Sequence, residues 1–113
     1  MKIVWKMPDG FVRVSTPSVP KPTAESENAY LLRIAARIVE AKPGLRVAQR
    51  FFIPDEAHNG MDKIFREAWA WNGELGYDLA KAKAVCKRLR PGKSALIDAA
   101  SSIIDLRSLL QSS

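Results

Sequence analysis

The sequence holds one cysteine, Cys86, and one histidine, His58. A lone thiol cannot close an internal disulfide, and a lone imidazole with no second His or Cys falls short of a metal-ligand set. No apolar run approaches the ~20 residues that cross a bilayer, and the N-terminus lacks the apolar stretch of a secretion signal. No Asn-x-Ser/Thr glycosylation acceptor occurs. These absences point to a soluble intracellular domain. With 6 Gly, 7 Pro, 47% hydrophobic and 27% charged residues, collagen-like and disordered classes are excluded. At 113 residues the chain is one domain, 1–113, long enough for a core that needs neither disulfide nor structural metal.

What is present is a localised charge. Eighteen Lys and Arg against 12 Asp and Glu give +6. Lys81, Lys83, Lys87, Arg88, Arg90 and Lys93 lie together with no acid among them, and the rest of the chain is balanced. A one-sided field of this kind favours an anionic partner: nucleic acid, an acidic protein surface or phospholipid head groups. A solvated helix face is the competing reading.

Along the chain, Ile3, Trp5 and Met7 alternate with Lys2, Val4 and Lys6, then Pro8-Asp9-Gly10 supplies a turn and Phe11 to Val14 a second strand. Prolines keep residues 15–22 extended. Thr23 is the expected N-cap of a helix whose inner face is Leu31, Ile34, Ala35, Ile38 and Ala41, and Pro43-Gly44 ends it. Leu45 to Ile53 alternates as a third strand, and 54–60 is a polar loop. Met61, Ile64, Phe65, Ala68 and Trp69 share one helical face, with Asn72-Gly73 as the stop. Asp78 caps a helix to about Arg90 with Leu79, Ala82, Cys86 and Leu89 inward. After Pro91-Gly92, a last helix from Ser94 to Leu110 places Leu96, Ile97, Ala100, Ile103, Ile104 and Leu110 in the core. The expectation is an α+β fold: an N-terminal antiparallel β-hairpin plus a third strand within 1–53, about four helices in all, and a helical C-terminal half over 61–110.

Two strings mimic nucleotide hydrolysis. Asp55-Glu56-Ala57-His58 spells a helicase box, and Gly92-Lys93-Ser94 the end of a phosphate-binding loop. The loop needs a glycine where Lys87 stands, and the two strings come in the wrong order. Cys86 falls on an apolar helix face, where a thiol acts as a small hydrophobe. Asp55 and Glu56, adjacent in sequence, point apart and form no acid–base pair. The sequence therefore reads as a non-enzyme without cofactor or metal.

Among the aromatic residues, Phe65 and Trp69 follow the apolar face and belong to the core, while Trp71 falls off it. Phe51 and Phe52 must face opposite sides of a strand, so one needs a second cover. Exposed Trp and Phe anchor interfaces, and no nucleic-acid-binding signature accompanies them.

Asp62-Lys63-Ile64-Phe65-Arg66-Glu67-Ala68-Trp69 resembles the Asp-Arg-x-Phe-Arg-x-Ala-Trp core of a family of small tailed-phage and prophage proteins. The resemblance runs back to Ile53-Pro54 and the hairpin Met1-Lys2-Ile3-Val4-Trp5 with Pro8-Asp9-Gly10. It runs forward through Asp78-Leu79-Ala80-Lys81-Ala82-Lys83 to Arg88, Arg90, Leu96 and Asp98. Two departures are Glu56 to Gly60, altered ahead of Asp62, and Pro91-Gly92, which interrupts what is one helix in such proteins. The resemblance implies a phage origin and no catalytic residues.

The resulting expectation is a non-enzymatic phage protein in the cytoplasm of the infected bacterial host. It binds an acidic surface of a host or phage protein or ribonucleoprotein, for instance as an inhibitor of a nuclease-based defence system such as CRISPR-Cas. Lys83, Lys87, Arg88, Arg90 and Lys93 form the expected contact group, with Trp71 as anchor. Charge reversal at Lys87 and Arg88 should weaken binding without unfolding the helix. The alternatives are a virion tail-assembly factor and a direct nucleic-acid binder using 81–93, whose affinity would fall steeply with salt.

Overall fold

The computed structural model describes residues 1–111. The contacts of the chain gather into two units, Met1–Met61 and Asp62–Ser113. The fold class is α+β, with an N-terminal three-stranded antiparallel sheet and a largely helical C-terminal half.

In the first unit, β1 (Lys2–Lys6) and β2 (Val12–Ser15) form the expected hairpin. Gly10 takes φ 89°, a conformation cheap only for glycine, while Met7 N–H donates to the Phe11 carbonyl at 2.8 Å. Helix α1 (Glu27–Ala41) starts later than Thr23 would place it. Ser26 is its cap, the hydroxyl accepting from Ala29 N–H at 3.2 Å. A turn explains the delay: Glu25 N–H donates to the Pro22 carbonyl at 3.1 Å, which holds Thr23 outside the helix. Tyr30, Leu31, Ile34 and Ala35 are buried, and Ala41 is exposed rather than inward. The proline-rich connector is tied down by Tyr30, whose hydroxyl donates to the Val19 carbonyl.

After Lys42 the chain makes a 3-10 turn, Pro43–Val47, that sends Leu45 into the core. The third strand, β3 (Gln49–Ile53), therefore begins at Gln49 and not at Leu45. Strand order is β2-β1-β3, all antiparallel. Ile3 and Trp5, with Phe52 beside them, pack on Tyr30, Leu31, Ile34, Ala35 and Leu45. Burial of Ile3 and Leu31 contributes roughly 1.5–3 kcal/mol each. The pairing register places Val4 opposite Val14 and Phe51, on the other face of the sheet from Trp5 and Phe52. Residues expected as a loop instead form a short helix, α2 (Asp55–Asn59), with Asp55 and Glu56 in its first turn, where carboxylates suit the helix dipole.

The second unit holds the largest departure from expectation. Met61 to Trp69 is not an α-helix: Lys63–Ala68 is a 3-10 segment that leads into a hairpin of β4 (Trp69–Trp71) and β5 (Leu75–Tyr77). Asn72-Gly73 is the hairpin turn, with Gly73 at φ 79°, and not a helix stop. The three-residue period keeps Phe65 and Ala68 buried but leaves Ile64 54% exposed. Asp62 organises the segment. Its Oδ1 accepts from Ile64 N–H at 3.0 Å and its Oδ2 from Arg107 Nε at 2.9 Å. Its own N–H donates to Tyr77 Oη at 2.7 Å, and its carbonyl accepts from Trp69 Nε1 at 3.2 Å. Phe65 and Tyr77 meet edge to face, with ring centroids 6.1 Å apart.

Helix α3 (Leu79–Leu89) is capped as expected by Asp78, which accepts from Lys81 N–H at 3.1 Å. Ala82, Val85 and Cys86 are buried with Phe65, Ile97 and Leu106, and Leu79 packs at the margin. Leu89, expected inward, is 45% exposed because the helix ends there. The expected final helix is divided. A 3-10 turn, Pro91–Lys93, precedes α4 (Ser94–Ala99), and α5 (Ile103–Gln111) follows a break in which Ala100 is extended. Ser102 ends the break, its hydroxyl accepting from Asp105 N–H at 3.2 Å, while the Asp105 carboxylate reaches back to Ser101 N–H at 3.1 Å. The break turns Ile104 outward, 72% exposed, and leaves Leu96 58% exposed, where both were expected in the core.

Candidate functional site

The basic segment runs along α3 and the turn after it, and the structure puts most of its cations to internal use. Lys83 Nζ donates to the Asp98 carbonyl at 2.9 Å, and Lys87 pairs with the Asp98 carboxylate. Both lysines thereby tie α3 to α4. Lys93 Nζ donates to the Leu109 carbonyl at 3.0 Å, near the C-terminal end of α5, where a cation suits the dipole. Arg88 sets Nη1 and Nη2 on a single Glu67 oxygen, each at 3.1 Å, joining α3 to the 3-10 segment. Among the described residues, Arg90 donates only to the neighbouring Leu89 carbonyl, at 3.0 Å.

These contacts separate residues that look alike in sequence. Lys87 and Arg88 are neutralised by carboxylates, although both pairs stay partly exposed and each contributes at most about 1 kcal/mol. Lys83, by contrast, is held by a carbonyl oxygen, which carries no formal charge. Trp71 stands on β4 opposite Leu75, half-buried. Charge reversal at Lys87 or Arg88 is therefore not the clean test that sequence suggests: Lys87→Glu would face Asp98, and Arg88→Glu would face Glu67.

The exposed apolar side chains add a second element. Leu89 ends α3 between Arg88 and Arg90 in sequence, all three exposed. Between α4 and α5 lies a groove of about 470 Å³ lined by Leu96, Ala99, Ala100, Asp105, Ser108 and Leu109. Hydrogen bonds from Ser101 hold the Asp105 carboxyl below the usual carboxylate range. The end of α3 offers an exposed leucine beside guanidinium donors, whereas the groove between α4 and α5 is mostly apolar with one carboxylate.

The structure places two of the motif-like features. Cys86 sits in the core of the second unit, and burial pushes its thiol up, away from the reactive thiolate. Lys93 belongs to the turn before α4, with helix α3 and no strand ahead of it. Among the described residues, no three His, Cys, Asp or Glu side chains gather as a metal-binding group. No helix among them is long and apolar enough to cross a membrane.

Sequence reasoning passed over Arg46 and Arg50, which line a groove in the first unit. They are separated from each other and from the charge run, so counting charge along the chain does not reveal them. Only the turn at Pro43–Val47 and the start of β3 bring the two together. Compared with known proteins, the chain matches no family model, no curated protein and no solved structure.

Proposed function

We infer that this is a non-enzymatic domain that binds an acidic surface of a protein or ribonucleoprotein through the C-terminal corner of α3. The observation that supports it most directly is Leu89, left in water between the exposed guanidinium groups of Arg88 and Arg90. Burial of such a leucine against a partner returns roughly 1.5–3 kcal/mol, and the flanking Arg90, which has no carboxylate partner among the described residues, selects a carboxylate beside it. Lys83, held only by a carbonyl, adds positive charge on the same helix, Lys87 and Lys93 belong to the same basic segment, and Trp71 is a further anchor. The resemblance to small tailed-phage proteins supports a partner inside the infected bacterium, with a nuclease-based defence complex such as CRISPR-Cas as the leading target.

The test is a pull-down of tagged protein from host lysate, with and without nuclease, compared with Leu89→Ser/Arg90→Glu. A discrete host complex that survives nuclease and disappears with the double variant is the expected result. Retention lost on nuclease treatment would assign the surface to nucleic acid instead. Capture of tail components alone, from infected cells, would make virion assembly the function.

A further inference from the structure

We propose that the first unit carries a second recognition site, a groove between Arg46 and Arg50 that takes an acidic peptide segment with an aliphatic side chain. The groove measures about 420 Å³ and is lined by Trp5, Val39, Leu45, Arg46, Ala48 and Arg50. Four of these residues are apolar and the other two are arginines; among the described residues no acidic side chain lines the groove. Arg50 lies directly opposite Trp5 across the sheet, and Arg13 lies opposite Trp5 on the other side, so a third guanidinium shares this face.

These arginines combine a missing counter-charge, which they share with Arg37, Arg66 and Arg90 among the described residues, with a place at an apolar groove or on its sheet face. Arg33, Arg88 and Arg107 are each paired with a carboxylate. The side chains of Arg13, Arg46 and Arg50 have neither ion pair nor hydrogen bond among the described residues. The charge run along α3 is largely spent within its own unit, whereas these guanidinium groups keep their donors for an incoming anion. A guanidinium presents a planar fork that matches a carboxylate through two parallel hydrogen bonds. Two such forks beside Val39, Leu45 and Ala48 suit carboxylates on either side of one aliphatic side chain.

The same geometry disfavours a nucleic-acid strand. Sequence-tolerant binding of single strands relies on exposed aromatic faces for base stacking. Trp5 is 1% exposed, and its Nε1 already donates to Ser15 Oγ at 3.0 Å. The groove offers cations and aliphatic surface without an open ring.

The experiment selects binders to the full chain from a random dodecapeptide library. Fluorescence anisotropy then measures the enriched peptides and a thymidine dodecanucleotide on wild type, Arg46→Glu/Arg50→Glu and Arg90→Glu. Enriched peptides should pair Asp or Glu around one Leu, Ile or Val. They should lose at least about tenfold in affinity on the Arg46/Arg50 reversal, equivalent to ~1.4 kcal/mol, and less than about twofold on Arg90→Glu. Both arginines are exposed, so the reversal should leave the melting curve unchanged; if it does not, Arg46→Gln/Arg50→Gln carries the same comparison. An empty selection, peptides without acid bias, or equal binding by the reversal variant would overturn the proposal. So would tighter binding of the oligonucleotide that depends on Arg46 and Arg50. Because Arg90 is varied separately, failure here leaves the α3 corner standing, and the converse holds.

Discussion

Asp62→Ala is the substitution whose cost can be worked most fully from the structure. It removes the carboxylate that caps Ile64 N–H and the ion pair to Arg107, while the backbone bonds to Tyr77 and Trp69 remain available. Loss of a cap costs about 1 kcal/mol. The ion pair is screened on the Arg107 side, 42% exposed, more than on the Asp62 side, 18% exposed. Its loss adds roughly 0.5–1 kcal/mol. The total is about 1.5–2 kcal/mol, which at a urea m-value of about 1–1.5 kcal/mol/M lowers the unfolding midpoint by roughly 1–2 M. Urea titrations followed by circular dichroism and tryptophan emission measure this. Asp62→Asn keeps a capping oxygen and should cost less than half as much. The Asp62→Ala and Arg107→Ala costs should sum to more than that of the double variant, since both delete one contact. A midpoint shift below about 0.3 M for Asp62→Ala would refute the organising role given to this residue.

Other outcomes follow from the same contacts. Phe65→Ala should destabilise by about 3–5 kcal/mol, whereas Ile64→Ser, on the exposed side of the 3-10 segment, should stay within about 0.5 kcal/mol; thermal melts compare them. Lys87→Glu should lower stability and the Lys87→Glu/Asp98→Lys exchange should restore part of it, read from denaturant midpoints. The Asp105 carboxyl is held below its ordinary value in the folded chain, so its stabilising contribution is present above about pH 4 and lost as pH falls through the folded-state value. Asp105→Asn should therefore flatten the acid limb of a stability-versus-pH curve. Cys86 should react with thiol reagents only on the timescale of opening, so alkylation rates should rise with urea before the main transition.

The N-terminal hairpin, the body of α1 and the Asp78-capped α3 were legible because their signals are local and agree with one another, whereas the Thr23 cap and the Leu45 start of the third strand were not. Alternation, Pro8-Asp9-Gly10 and Asp78 all bear on residues that stay where the pattern puts them. The stretch from Met61 to Tyr77 was misread because burial is common to two periods. Phe65, Ala68 and Trp69 are buried whether the chain turns at 3.0 or 3.6 residues, and only Met61 and Ile64 tell the two apart. Asn72-Gly73 carried the decisive signal, since this pair favours the positive φ of a hairpin turn as readily as the end of a helix. The break before α5 was likewise written in Ser102-Ile103-Ile104-Asp105, a serine followed three residues on by an acid that reaches back. The contact group was legible as composition only. Which lysines and arginines are spent on Asp98, Glu67 and main-chain carbonyls depends on helix positions that no charge count contains.

The central place of β1 has a consequence for how the chain acquires its structure. Its partner β2 follows within a short turn, but its other partner, β3, is synthesised only after the whole of α1. The hairpin can close in microseconds, while the second edge of β1 must wait for a non-local strand and for the loop-closure entropy that joining it requires. Until then a strand with Ile3, Val4 and Trp5 in succession has one open edge, the condition under which nascent chains pair with the wrong neighbour. Completion of the sheet therefore waits on docking of Gln49–Ile53. Substitutions that delay this step should raise aggregation during synthesis, even where the finished molecule is no less stable.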